Sequence, residues 1–208
     1  VGPFSPVKAQ DVLPDSLVYR LMSAHPDLFG NALQNRDAWG IQVIYTQVDR
    51  SKKGKPVFTD HHFNTDTGRY FYPASTVKLP VAILALQRLN ELGIPGLDLH
   101  STMITGAEGP YQTEVCNDPS APDGRPTIAH YIKKILLVSD NDAFNRLYEF
   151  LGQEYINQTL HRLGYTGTQI IHRLSISLPE PENRYTNPVR FYDTTGKLLY
   201  EKPGEKSR

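Results

Sequence analysis

The chain has 208 residues, enough for one generous domain or for two small lobes that share a core. A formal net charge of +0, with 39% hydrophobic and 21% charged residues, argues against a disordered chain and against a nucleic-acid-binding surface. The longest apolar run, at about ten residues, is too short to span a bilayer, and the single cysteine, Cys116, excludes an internal disulfide.

The first predicted elements are one or two short helices on either side of Pro26. Asp15 or Ser16 is a capping residue for the first of them. Apolar residues then recur at helical spacing from Leu17 to Leu33. The N-terminal part of the chain is therefore expected to be helical.

A β-hairpin is predicted next. β-Branched and aromatic residues alternate with polar ones over 41–48, and a second strand over 56–63 follows the polar turn RSKKGK. His61 and His62 lie in the second strand, but no third ligand follows at metal-binding spacing, so both are interpreted as strand-edge residues. A hairpin of two strands is not stable by itself, so the sheet is expected to need further strands.

The next helix is predicted from Ser75 to Leu92, with Gly93 and Pro95 ending it. From Val77 to Leu86 it is almost unbroken apolar, yet it contains Lys78, three residues after Ser75. Residues at i and i+3 lie on one face of a helix, about one turn apart. The sequence therefore places a serine hydroxyl beside a lysine that is expected to be buried.

A buried lysine has a lowered pKa and becomes a usable base, and a serine hydroxyl needs such a base to become a nucleophile. The pair Ser75 and Lys78 supplies both parts. A simpler interpretation is that Ser75 caps the helix while Lys78 extends to solvent. The spacing S-x-x-K is weakly specific by itself, since Ser5 and Lys8 also match it without an apolar helix behind them.

The second half of the chain is predicted to be mainly helical. A loop rich in Gly, Pro and Asp over 106–126 precedes three helices over 127–138, 142–151 and 153–163. The chain from Leu178 onwards is rich in Pro, Glu, Asn and Arg and is interpreted as irregular. The order of helix, hairpin and helical block indicates an α+β protein.

The tripeptide Ser139-Asp140-Asn141 falls at the junction of two of these helices. All three residue types are good helix caps, which is the simpler interpretation. The tripeptide also offers a second hydroxyl for proton relay and an amide that can bind a polar substrate group.

Together, PASTVKLP and LLVSDN resemble the S-x-x-K and S-D-N motifs of the serine β-lactamase and penicillin-binding protein superfamily, most closely the class A β-lactamase-like serine hydrolases. The resemblance covers about residues 15 to 190. It implies that Ser75 is the nucleophile, Lys78 the general base and Ser139 the proton relay. It also implies that Asn141 contacts the substrate or the lysine, and that neither a metal nor another cofactor takes part.

The sequence departs from the family pattern in two places, the K-T-G motif and the loop that carries the deacylating glutamate. The K-T-G motif is absent, and Thr195-Gly196-Lys197 has the wrong order. We therefore expect the C-terminal sheet strands to be missing from this chain, with the partner segment on another chain or cleaved. The run Glu180-Pro181-Glu182-Asn183 resembles the family's Ω loop, and Glu180 is preferred over Glu182 as the deacylating residue, with a charged surface loop as the alternative.

The resemblance implies a β-lactamase/transpeptidase-like fold, with a helical half and an antiparallel sheet. We predict three parts: an N-terminal helix and hairpin over 1–72, a helical half over 73–190 and an exit segment over 191–208. The expected function is β-lactam hydrolysis through an acyl-enzyme on Ser75, in the bacterial periplasm or secreted. A D-Ala-D-Ala peptidase acting on peptidoglycan-like substrates, an esterase and a non-catalytic binding protein remain as alternatives.

Overall fold

The computed structural model describes residues 17–207, and the chain divides into two compact units between Tyr72 and Pro73. The expected capping residues Asp15 and Ser16 and the second S-x-x-K match at Ser5 lie outside the described residues. No helix among residues 17–207 has the length and apolar content that a bilayer span requires.

The first unit contains two helices and a hairpin: α1 (Leu17–Ser23), α2 (Pro26–Gln34), β1 (Val43–Arg50) and β2 (Pro56–Phe63). Pro26 is the first residue of α2, where its missing N–H costs no helical hydrogen bond. The strands pair antiparallel from Val43 opposite Phe63 to Arg50 opposite Pro56, so the predicted hairpin is confirmed. The ring of Tyr19 on α1 stacks on Phe63, with the ring centres 6.1 Å apart.

The helices of the second unit follow a short 3₁₀ turn, Ala74–Val77. They are α3 (Lys78–Leu92), α4 (Ile128–Val138), α5 (Asn141–Leu151), α6 (Gln153–Arg162) and α7 (Glu180–Asn183). Gly93 ends α3 in the left-handed conformation, with φ 58°, as its position in the sequence predicts. The predicted helices are therefore confirmed to within a few residues, except that the first turn around Ser75 is 3₁₀.

The core of the second unit lies where α3 and α4 pack on α5. Every residue of α5 from Ala143 to Leu151 is buried, so this helix is enclosed on all sides. Among its apolar residues, Phe144 and Leu147 have no exposed surface, and neither has Val81 of α3. The helices that flank the serine motifs are consequently held rigidly by apolar packing.

A three-stranded antiparallel sheet completes the second unit, in the order β3 (Thr102–Thr105), β4 (Val189–Tyr192) and β5 (Leu198–Lys202). The prediction that the chain is irregular beyond Leu178 is therefore wrong for β4 and β5. These strands are short, and β4 pairs with a segment more than eighty residues earlier, so no local pattern indicates the pairing. Thr195-Gly196-Lys197 lies in the tight turn that joins β4 to β5.

A buried ion pair attaches the segment after α6 to α5. The Glu149 carboxylate, with no exposed surface, accepts hydrogen bonds from Arg173 Nε at 2.6 Å and Nη2 at 3.1 Å. It also accepts from the backbone N–H of Asn187 at 2.7 Å. Arg173 Nη2 donates in addition to the carbonyl of Tyr185 at 2.5 Å. One carboxylate thus ties both ends of the 173–187 segment to the core.

Candidate active site

The 3₁₀ turn places Ser75 at the start of α3 with its side chain open to solvent. Thr76 closes this turn, because its N–H and its hydroxyl both donate to the carbonyl of Pro73, at 3.0 and 2.7 Å. One turn further on, Lys78 is only 3% exposed, and its Nζ lies 3.2 Å from Ser75 Oγ. The i and i+3 spacing therefore produces the contact that the sequence predicts.

The junction of α4 and α5 supplies the other side of the site. Ser139 ends α4 in the left-handed conformation, and the Asp140 carboxylate caps α5 by accepting from the N–H of Ala143 at 2.8 Å. The capping interpretation is thus confirmed for Asp140, whereas Ser139 is the C-cap of α4 and the Ser75 side chain makes no capping hydrogen bond. Asn141, the first residue of α5, is then turned toward Lys78.

Four oxygen atoms surround the Lys78 nitrogen. They are Ser75 Oγ, Ser139 Oγ at 2.9 Å, Asn141 Oδ1 at 2.6 Å and the carbonyl oxygen of Ser139. The carbonyl and the amide oxygen only accept hydrogen bonds, whereas the two hydroxyls also donate. A neutral amine has two N–H groups for the two acceptors and a lone pair for a hydroxyl proton. The environment therefore suits a lysine that exchanges a proton with Ser75 and Ser139.

Burial lowers the pKa of Lys78 below its ordinary value, and the nearby Asp140 carboxylate offsets this only in part. The lysine is thus easier to deprotonate than a lysine in water. Ser75, Ser139 and Ser175 are exposed, whereas Lys78 is buried. This arrangement leaves the Ser75 hydroxyl accessible from solvent and shields the lysine nitrogen.

Ser175 is a further member of this group that the sequence analysis missed. Asn141 Nδ2 donates to Ser175 Oγ at 2.6 Å. The preceding residue, Leu174, exchanges two buried hydrogen bonds with the Asn145 side chain, at 3.0 and 2.8 Å. The available signal was the position of Asn145, four residues after Asn141 and therefore on the same face of a helix.

Several residues at or next to the site have an unfavourable backbone conformation. Among the described residues, four besides glycine have a positive φ, and three of them belong to this group: Ala74 at 45°, Ser139 at 55° and Ser175 at 57°. Such conformations cost free energy and persist only when the surrounding structure holds them, which is most often the case at functional sites.

A family model described as a beta-lactamase enzyme family matches residues 42–202. The chain belongs to this beta-lactamase family. The resemblance to the serine β-lactamase and penicillin-binding protein superfamily is thereby confirmed, and the mixture of helices and antiparallel sheet is compatible with that fold. A search of curated proteins found no match.

The two candidate glutamates of this beta-lactamase family member have other surroundings in the structure. Glu180, the first residue of α7, is exposed and accepts a hydrogen bond from Arg184 Nε at 2.7 Å. Glu182 is half-buried and lines a cavity with Arg173. Within residues 17–207, no hydrogen bond joins either glutamate to the group around Lys78. A role of Glu180 in deacylation stays a prediction.

The remaining candidates for chemistry lie outside this group. Within the described part of the beta-lactamase family chain, no cluster of three His, Cys, Asp or Glu side chains could hold a metal ion. His61 stacks on Tyr45 across the hairpin, with ring centres 5.8 Å apart, as a strand residue would. Cys116 is exposed and unpaired by any disulfide.

Proposed function

We propose that this protein is a serine hydrolase that opens β-lactams through an acyl-enzyme on Ser75. The observation that carries the proposal is the position of Lys78 Nζ, which lies 3.2 Å from Ser75 Oγ and 2.9 Å from Ser139 Oγ. A base that touches both hydroxyls can take a proton from one and return it through the other. Membership of the beta-lactamase family supports a substrate of this class.

In the proposed acylation, neutral Lys78 accepts the proton of Ser75 Oγ as that oxygen attacks the lactam carbonyl carbon. The carbonyl π electrons move to the oxygen, and the backbone N–H of Ser75 with a second N–H stabilises the charge. When the intermediate collapses, the carbon–nitrogen bond breaks. The Ser139 hydroxyl then donates a proton to the leaving nitrogen and regains one from Lys78. The product is an ester on Ser75, with Lys78 neutral again.

The fate of that ester separates two candidate functions. Rapid hydrolysis would make the protein a β-lactamase, whereas a persistent ester is typical of a penicillin-binding peptidase that acts on peptidoglycan-like donors. The second candidate is favoured by one observation: the loop residue that bonds to Asn141 is Ser175, while the Glu180 carboxylate is paired with Arg184. Both functions fit a location in the bacterial envelope, which we propose for this protein.

Mass spectrometry of the whole protein after incubation with a penicillin tests the proposal. Ring opening on Ser75 adds the intact mass of the penicillin, because no leaving group departs. Ser75→Ala should abolish the adduct, and Ser5→Ala is the matched control because Ser5 also precedes a lysine by three residues. An adduct that survives Ser75→Ala would contradict the proposal. The absence of both an adduct and opened penicillin at every time point would also contradict it and would favour a non-catalytic binding protein.

A time course with the same reagent separates the two functions. A β-lactamase should show a transient adduct and steady release of the opened penicillin. A penicillin-binding peptidase should accumulate one adduct per chain and then stop. That a further segment supplies the K-T-G motif stays a prediction.

A further inference from the structure

The amide of Asn141 has two ends, and each holds a different part of the site. Its oxygen accepts from Lys78 Nζ at 2.6 Å, and its nitrogen donates to Ser175 Oγ at 2.6 Å. An amide presents an oxygen on one side and an NH₂ group on the other. The lysine N–H selects the oxygen, and the bond to Ser175 anchors the opposite end of the Asn141 amide, so the side chain is held at both ends.

The position of Ser175 is itself fixed from α5. The Asn145 amide bonds to both the N–H and the carbonyl of Leu174, so the backbone just before Ser175 cannot slide along the helix. Asn145 is 2% exposed, and these bonds are therefore shielded from competing water. Ser175 then adopts a φ of 57°, a conformation unfavourable for serine, and in it the hydroxyl reaches Asn141.

We propose that Ser175 is a positioning residue for acylation, which orients the Asn141 amide so that its oxygen holds Lys78 against Ser75 and Ser139. This inference rests on the proposed function, since it names a residue that acts on the base of that reaction. In this proposal the 173–187 segment contributes to acylation through the hydroxyl of Ser175 rather than through a carboxylate.

Loss of the Ser175 hydroxyl removes the acceptor at the far end of the amide. The Asn141 side chain is then held at one end only and can rotate so that its oxygen moves away from Lys78. The lysine then loses one of its two acceptor-only oxygens, so its amino group is held less firmly against Ser75. We expect acylation to slow by roughly 3- to 10-fold, the value of about one hydrogen bond.

The pH profile distinguishes this role from a merely structural one. A hydrogen-bond acceptor favours the charged lysine, so its loss lowers the pKa of Lys78 further. Asp140 is the charged group that acts on Lys78, and it is unchanged in the variants. The acidic limb of the acylation rate profile should therefore shift to lower pH, whereas a loop that is only loosened would lower the rate at every pH equally.

Two variants and one control make the test. Ser175→Gly accepts the left-handed conformation without strain, so it removes the hydroxyl without destabilising the loop. Ser175→Ala keeps the strain and also removes the hydroxyl. Ser177→Ala deletes an exposed hydroxyl two residues along the same loop. Both Ser175 variants should slow acylation by penicillin and shift the profile, and Ser177→Ala should do neither. Wild-type rates and profile in Ser175→Gly would overturn the inference.

Failure of the proposed function is recognised separately, because the wild-type protein would then form no adduct. In that event the positioning role is tested by the titration of Lys78, which is monitored by NMR of the full chain labelled with ¹³C-lysine. The Lys78 signal is assigned by its absence from Lys78→Met. A lower pKa of Lys78 in Ser175→Gly than in the wild type supports the positioning role, and an unchanged titration overturns it.

Discussion

Replacing Lys78 by methionine separates the chemistry of the site from its stability. Methionine fills a similar volume but cannot accept a proton, so Ser75 loses its base. Removal of a general base typically lowers a rate by about 10²- to 10⁴-fold, and we expect acylation of Ser75 by a penicillin to fall by that factor. The expectation follows from the contacts of Lys78 Nζ with both serine hydroxyls, at 3.2 and 2.9 Å.

The effect on stability should be small, for reasons visible in the structure. Ser75 and Ser139 are exposed and Asn141 is half-buried, so water can replace the lysine as their partner. Deleting the charge also removes the desolvation that a 3%-exposed ammonium suffers. Since these effects oppose one another, the free energy of unfolding should change by no more than about 1–2 kcal/mol.

Rapid-quench mass spectrometry measures the acylation rate, and denaturant unfolding measures the stability. Lys78→Arg should be as inactive as Lys78→Met, because a guanidinium stays protonated. Lys133→Arg, an exposed lysine on α4, is the matched control and should acylate at the wild-type rate. Full acylation in Lys78→Arg would refute the reasoning. Lys78 would then contribute only the packing of its aliphatic side chain, and its amino group would take no part in acylation.

Three further outcomes are expected. Arg173→Met leaves the buried Glu149 carboxylate without its cation and should destabilise the protein by about 3–5 kcal/mol in urea unfolding, with Glu149→Gln recovering part of that loss in the double variant. Glu180→Gln should lengthen the lifetime of the acyl-enzyme, as the resemblance implies for a deacylating residue; an unchanged lifetime would make Glu180 only a loop carboxylate paired with Arg184. Between the lowered pKa of Lys78 and its ordinary 10.5, the unfolded chain binds more protons at this residue, so wild-type stability should rise with pH relative to Lys78→Met in parallel unfolding titrations.

The parts of the molecule that depend on local pattern were predictable from the sequence. The apolar periodicity and the stop signals at Gly93 locate α3 within a few residues, and the alternation over 41–63 predicts the hairpin. The contact of Ser75 with Lys78 follows from their spacing alone. Ser139 could be linked to them only through the resemblance, because it lies on a different helix.

The parts that depend on distant pairing were not predictable. β4 pairs with β3 across a long stretch of chain, and its four residues are too few to show a convincing alternation. Likewise, Ser175 reaches Asn141 only because Asn145 fixes the backbone of the intervening loop, a relation that no spacing in the loop reveals. The motif resemblance pointed to Glu180, whose carboxylate pairs with Arg184 and whose role in deacylation stays a prediction.

The hairpin of β1 and β2 carries a consequence for isotope exchange. In an antiparallel pair, residues alternate between those that share two hydrogen bonds across the ribbon and those whose N–H points outward. The sheet that the structure describes here has two strands, so neither outward row has a strand partner among the described residues. Deuterium should therefore enter β1 and β2 at every second amide, with the protected residues in register from Val43 opposite Phe63. A strand that adds beside either edge would protect one row and leave the other unchanged, so the exchange pattern would reveal which edge it occupies.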